Sequence, residues 1–167
     1  MTPSFLAEFY EKRFGRSELE ALIENIYFRH SENNTNLLES ICRSSIKIII
    51  TSNIDNDLEK ACDKIYRKYH VFTPDNLDNW NSTEELKIFK ICGNIGGVQI
   101  LTENDFRSYA DTFPHVHSLL QSVFYLHGLL FIGCSMKDVY FRKMINTVKR
   151  KKFLVKNILQ FYQIILN

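Results

Sequence analysis

Between residues 17 and 50 the apolar positions change period. Leu19, Leu22, Ile23 and Ile26 recur three and four apart, and Ser17 followed by Glu20 has the spacing of a capping box, which predicts a helix beginning there. Leu37, Leu38 and Ile41 predict a shorter one. Ile46-Lys47-Ile48-Ile49-Ile50 is instead a β-branched run closed by Thr51-Ser52-Asn53, the pattern of a mostly buried strand entering a loop. From Asp55 the helical period returns, with Leu58, Ala61, Cys62, Ile65 and Tyr69 on one side and Lys60, Asp63, Lys64 and Arg67 on the other.

Downstream, the polar stretch Pro74 to Ser82 reads as a loop, Leu86 to Ile91 as a strand, and Gly93 to Gly97 as a turn into Val98-Gln99-Ile100-Leu101. Thr102 with Asp105 has a capping spacing, and a further helix is expected from Pro114 to Leu126. Leu129-Leu130-Phe131-Ile132 reads as an apolar strand ended by Gly133-Cys134-Ser135, Ser135 with Asp138 as another helix start, and Phe153-Leu154-Val155 as a last short strand. Strands alternating with amphipathic helices predict an α/β fold with a doubly wound, mostly parallel sheet behind an N-terminal helical segment. Ligands bind such sheets outside the carboxyl ends of the strands, which directs attention to Thr51–Asp55 and Gly133–Ser135.

Composition narrows the function classes. With 45% hydrophobic and 24% charged residues the chain is an ordinary globular sequence, and a net charge of +2 gives no field that would gather nucleic acid. The first residues lack a basic start and an apolar run, and no stretch approaches about 18 consecutive apolar residues. A cytoplasmic protein without a membrane partner is the expectation. Cys42, Cys62, Cys92 and Cys134 form no ligand-spaced pair, so no metal is expected.

Three segments in a fixed order carry a family resemblance. They are Ile49-Ile50-Thr51-Ser52-Asn53-Ile54-Asp55, then Lys90-Ile91-Cys92-Gly93-Asn94 with Leu101-Thr102-Glu103-Asn104-Asp105-Phe106, then Phe131-Ile132-Gly133-Cys134-Ser135-Met136-Lys137-Asp138. Together they resemble the sirtuin-like family (silent information regulator type), and within it the NAD-hydrolysing branch known from bacterial defence proteins. The resemblance implies a Rossmann-like domain over the whole of 1–167, divided into a helical lead-in (1–45), an α/β nucleotide-binding part (46–156) and an apolar tail (157–167). It also implies a truncated sheet, because family members begin with a glycine-rich phosphate turn between strand and helix, and Gly15 is the one glycine upstream of Asn53. The family's deacylases carry a four-cysteine zinc module between the second and third segments. No cysteine lies between Cys92 and Cys134, which disfavours a deacylase.

The same resemblance implies site residues. NAD would be held by Thr51, Asn53, Asp55, Gly93, Gly133 and Ser135. Catalysis would fall to Asn53, whose amide orients water and ribose, and to Cys92, which stands where the family has its base histidine. Breaking the nicotinamide–ribose bond passes through an oxocarbenium-like state with an already cationic leaving group, so positioning and water activation are what the protein supplies. A thiol has an unperturbed pKa of about 8.5 against about 6.5 for imidazole, and it is a weaker hydrogen-bond partner. Plain structural readings stand beside these roles: Asn53 in an Asx turn, Asp55 and Ser135 as helix caps, Cys92 as a buried inert thiol, and His115 and His117 at an exposed helix start. Lys149-Arg150-Lys151-Lys152 reads as a helix end, where positive charge is stabilising. The expectation is an NAD-binding domain related to NAD hydrolases with impaired catalysis. The alternatives are a non-catalytic interaction module, and a fragment of a longer defence-type protein whose apolar tail packs on a partner protein or a second copy.

Overall fold

The computed structural model describes residues 2–29, 36–128, 130 and 132. The expected strand at 129–132 falls largely outside the described residues. Gly133, Cys134, Ser135, the helix after Ser135, the strand at 153–155 and the tail lie wholly outside them. Residues cluster into two compact units, one up to Ser108 and one from Tyr109.

The first unit opens with α1 (Pro3–Phe14) and α2 (Arg16–Arg29). Thr2 caps α1 by accepting from the Phe5 N–H at 3.3 Å, and Pro3 takes the first helical position, where a missing N–H costs nothing. Gly15, at a φ of +90°, ends α1 and donates to the Glu11 carbonyl. Because α2 starts at Arg16, Ser17 lies inside the helix instead of capping it, and the Glu20 carboxylate accepts from Arg16 Nε at 2.7 Å. The apolar stripe of α2 is narrower than its spacing suggests: Leu19 is buried, but Leu22 and Ile26 are exposed.

α3 (Asn36–Arg43) and α4 (Asp57–Lys64) cover one face of a sheet made of β1 (Ile48–Thr51), β2 (Tyr69–Phe72) and β3 (Leu86–Lys90). Strand order is β1-β3-β2 and both pairings are parallel, with Thr51 opposite Lys90 and Phe72 opposite Phe89. Cys42, Ala61, Cys62, Leu86 and Ile88 form the buried core of this layer, flanked by Leu38, Ile49, Leu58, Ile65 and Tyr69. Period-2 alternation puts Leu86, Ile88 and Lys90 on the same side of β3. On the other side Phe72, Trp80 and Phe89 meet edge to face, with ring centroids 4.9 and 5.8 Å apart, and the Lys87 ammonium lies over Trp80.

Tyr69 belongs to β2 and not to the helical face of α4. The chain leaves the helix at Tyr66, whose φ of 56° is left-handed. Arg67 then folds back to donate to the carbonyls of Cys42, Ser44 and Ile46, which follow or end α3 and have no helical partner.

The turn after β3 closes through an antiparallel bridge between Gly93 and Gln99. α5 (Glu103–Thr112) follows from a reciprocal cap: Asp105 N–H donates to Thr102 Oγ1, and Leu101 and Thr102 N–H groups donate to Asp105 Oδ2. The second unit contains the end of α5, where the Tyr109 and Phe113 rings meet at a tilt with centroids 5.4 Å apart, and α6 (Pro114–Leu126), which buries Val116, Leu120 and Val123 along one stripe. No described helix is long and apolar enough to cross a membrane.

Candidate functional site

The carboxyl ends of β1 and β3 lie side by side, because Thr51 and Lys90 are register partners and Ile91 N–H donates to the Thr51 carbonyl at 2.9 Å. The two loops that leave these ends are therefore neighbours from their first residue. One carries Asn53 and Asp55; the other carries Cys92 and Gly93.

In the first loop Thr51 Oγ1 accepts from the Asn53 N–H at 3.0 Å, so the hydroxyl shapes the turn that presents Asn53. Asn53 itself is exposed, which leaves its side-chain amide facing solvent. Ile54 is 3% exposed and pins the loop to the core. Asp55 is half-buried, and its Oδ1 accepts from the Asp57 N–H at 3.0 Å. This is an Asx turn ahead of α4 and not the cap expected of Asp55: the N-cap position is Asn56, which makes no side-chain cap bond.

In the second loop Cys92 is 5% exposed, and its carbonyl accepts from the Ile100 N–H at 2.8 Å. Gly93 has a φ of +86°, and a Cβ placed there would sit 1.6 Å from the Val98 carbonyl oxygen. Glycine is thus demanded here by the hairpin's own backbone. Asn94 N–H donates to that same Val98 carbonyl, and Ile95 N–H donates across to the Ile54 carbonyl at 3.3 Å.

Two residues were given no role by the sequence, although Lys90 opens the second family segment. Lys90, fully buried at the end of β3, sends its ammonium between the loops: it donates to the Asp55 carbonyl at 2.5 Å, to Asn94 Oδ1 at 2.8 Å and to Asn56 Oδ1 at 3.0 Å, and it pairs with the Glu59 carboxylate. Tyr27, on α2, stands near the same place. Burial raises its phenol pKa, and the Asp55 and Asp57 carboxylates raise it further. The helical lead-in therefore contributes to the surroundings of the site.

Thr51, Asn53, Asp55, Cys92 and Gly93 are brought together; Gly133 and Ser135 lie outside the described residues. In the second unit His115 is exposed and His117 shares a 3.1 Å hydrogen bond with Gln121. Among the described residues no group of three or more His, Cys, Asp or Glu side chains is placed to hold a metal.

A family model described as SIR2-like domain matches residues 47–163. The chain is also similar to "Defense-associated sirtuin 2" of Bacillus subtilis, with 26% identity over 107 residues, covering 61% of this chain. It spans 10% of that relative's length.

Proposed function

From the premise that the chain belongs to the SIR2-like domain family, we propose that it binds NAD at the carboxyl ends of β1 and β3 and that its own hydrolytic turnover is impaired. The observation that carries this reading is the in-register placement of Thr51 beside Lys90, which holds the Asn53 and Cys92 loops together at the place where such sheets take ligands. The residue types fit the nicotinamide–ribose half of NAD. An exposed amide at Asn53 offers both donor and acceptor to ribose and water, and the Asp55 oxygen not used by the Asp57 N–H can accept from a carboxamide. Holding the adenosine half would fall to Gly133 and Ser135.

Impairment follows from Cys92. A base must reach the proton it removes, and a thiol on a residue only 5% exposed is poorly placed to do so and is a weaker hydrogen-bond partner than imidazole. The site then binds more readily than it reacts. A regulatory role in a larger defence assembly, cytoplasmic and NAD-sensing, fits a chain similar to a tenth of a much longer defence-associated protein.

Calorimetry with NAD, run beside an assay for released nicotinamide, tests the reading. The expected result is measurable binding that Asn53→Ala weakens, with release close to the uncatalysed background. Rapid release by the native chain would overturn the impairment, and absence of binding would overturn the site.

A further inference from the structure

We infer that Lys90 is a positioning residue, whose buried ammonium fixes the two strand-end loops in the arrangement that a ligand of this site requires. The inference rests on the NAD reading for its ligand, while its structural half stands on the geometry alone.

Lys90 continues the side of β3 that carries Leu86 and Ile88, both core residues, so an apolar side chain would extend the stripe without cost. The ammonium is instead placed by the first turn of α4, where the helix dipole disfavours a cation. Neither core packing nor helix capping accounts for a lysine there. What its partners share is position: Asp55 and Asn56 belong to the loop after β1, Glu59 to the first turn of α4, and Asn94 to the loop after β3. An ammonium has three protons, and four oxygens surround this one, so all its donors are engaged and its rotamer is locked.

The network is also incompletely satisfied. Glu59 is 9% exposed, and its Oε2 is buried without a hydrogen-bond partner among the described residues. A polar cluster selected for stability alone would satisfy that oxygen or be replaced by apolar groups. A cluster that ties Asp55, Asn56 and Asn94 to one point gains loop definition in exchange, which is the requirement of a site whose chemistry depends on orientation.

The test compares the native chain with Lys90→Met and with Lys90→Met/Glu59→Leu, reading urea stability, amide hydrogen exchange at residues 52–56 and 93–98, and NAD affinity by calorimetry. Lys90→Met leaves a buried carboxylate unpaired and lowers stability; the double variant removes both charges and regains most of it. The expected signature is a double variant whose loop amides still exchange about tenfold or more faster than native, and whose NAD dissociation constant rises by a similar factor, because oriented binding has been lost. A double variant with native stability, native loop protection and native affinity would make Lys90 structural only and overturn the inference. If the native chain binds no NAD, the ligand reading fails and loop exchange alone decides the role of Lys90. Should the double variant not fold, Asn56→Ala and Asn94→Ala, which each delete one acceptor outside the core, carry the decision: faster exchange in the two loops supports the inference, and unchanged exchange overturns it.

Discussion

Arg16 Nη1 donates to Asp105 Oδ2 at 2.8 Å, joining the start of α2 to the start of α5 across 89 positions of the chain. The same guanidinium reaches Glu11, Glu20 and the Gln99 carbonyl, and Asp105 is also the acceptor that caps α5. Burial pushes the Asp105 carboxyl up, but Arg16 and the Thr102 and Leu101 amides together outweigh it and hold the group below its ordinary value.

A depressed carboxylate stabilises the fold above its unfolded pKa and loses that contribution as pH falls through the folded one. Asp105→Asn keeps an acceptor oxygen for the Leu101 and Thr102 amides but removes the charge facing Arg16, and is therefore expected to destabilise at pH 7 by about 1 kcal/mol, the usual gap between a charge-assisted and a neutral hydrogen bond. The gap to the native chain should close below about pH 4, where the carboxylate of the native chain itself protonates. Urea titrations of both proteins across that range check the shape; a gap independent of pH would show that charge is not the cause.

Gly93→Ala is expected to cost well over the roughly 1–2 kcal/mol of a left-handed alanine, since the new Cβ would run into the Val98 carbonyl. Gly96→Ala, also at positive φ but with open space around it, should cost only that conformational term. Equal losses in a denaturant series would remove the close-approach argument.

Cys62 is buried, and burial with the hydrogen bond to Cys42 at 3.3 Å pushes its thiol up to about 12. A raised folded pKa means the stabilisation is complete below the unfolded value near 8.5 and is lost as pH rises toward the folded one. Iodoacetamide should thus modify Cys62 only after denaturation, as mass spectrometry of the labelled peptide will show; rapid native labelling would place the thiol in solvent.

Cys92→His is expected to raise nicotinamide release measurably without reaching the activity of a complete hydrolase. A general base contributes about 100 to 10,000-fold, whereas phosphate positioning is a separate contribution that Gly15, spent on ending α1, does not make. Full activity from this one substitution would show that the cysteine at position 92 alone limits turnover.

Much of this architecture was legible because local patterns agreed with tertiary demands. Pro114–Leu126 and the Thr102–Asp105 cap follow from proline placement and capping chemistry, and β3 from its apolar run. β2 was hidden because Tyr69 sits four residues after Ile65, which mimics helical spacing; the break comes at Tyr66, a residue with no turn preference forced into left-handed geometry. At the site, the segments holding Asn53, Asp55 and Cys92 were recognisable, and the hydrogen bonds of Thr51 and Asp55 are ordinary turn chemistry, although the turn at Asp55 is not the helix cap its position suggests. The roles of Lys90 and Tyr27 were not readable, since each depends on partners brought from distant parts of the chain.

The strand order also dictates a timetable. β3 is the last of the three strands to leave the ribosome, yet it is the central one, and β1 and β2 bond to it and not to each other. Among the described strands, β1 must wait from Thr51 and β2 from Phe72 until Leu86 is made, which at about 5–20 residues per second takes from under a second to several seconds. Among the described strands, the first two therefore form no pair of their own before β3 arrives. A nascent chain stalled before Leu86 should display two adhesive edges at once, and its protection during synthesis becomes a task for whatever meets the exit tunnel.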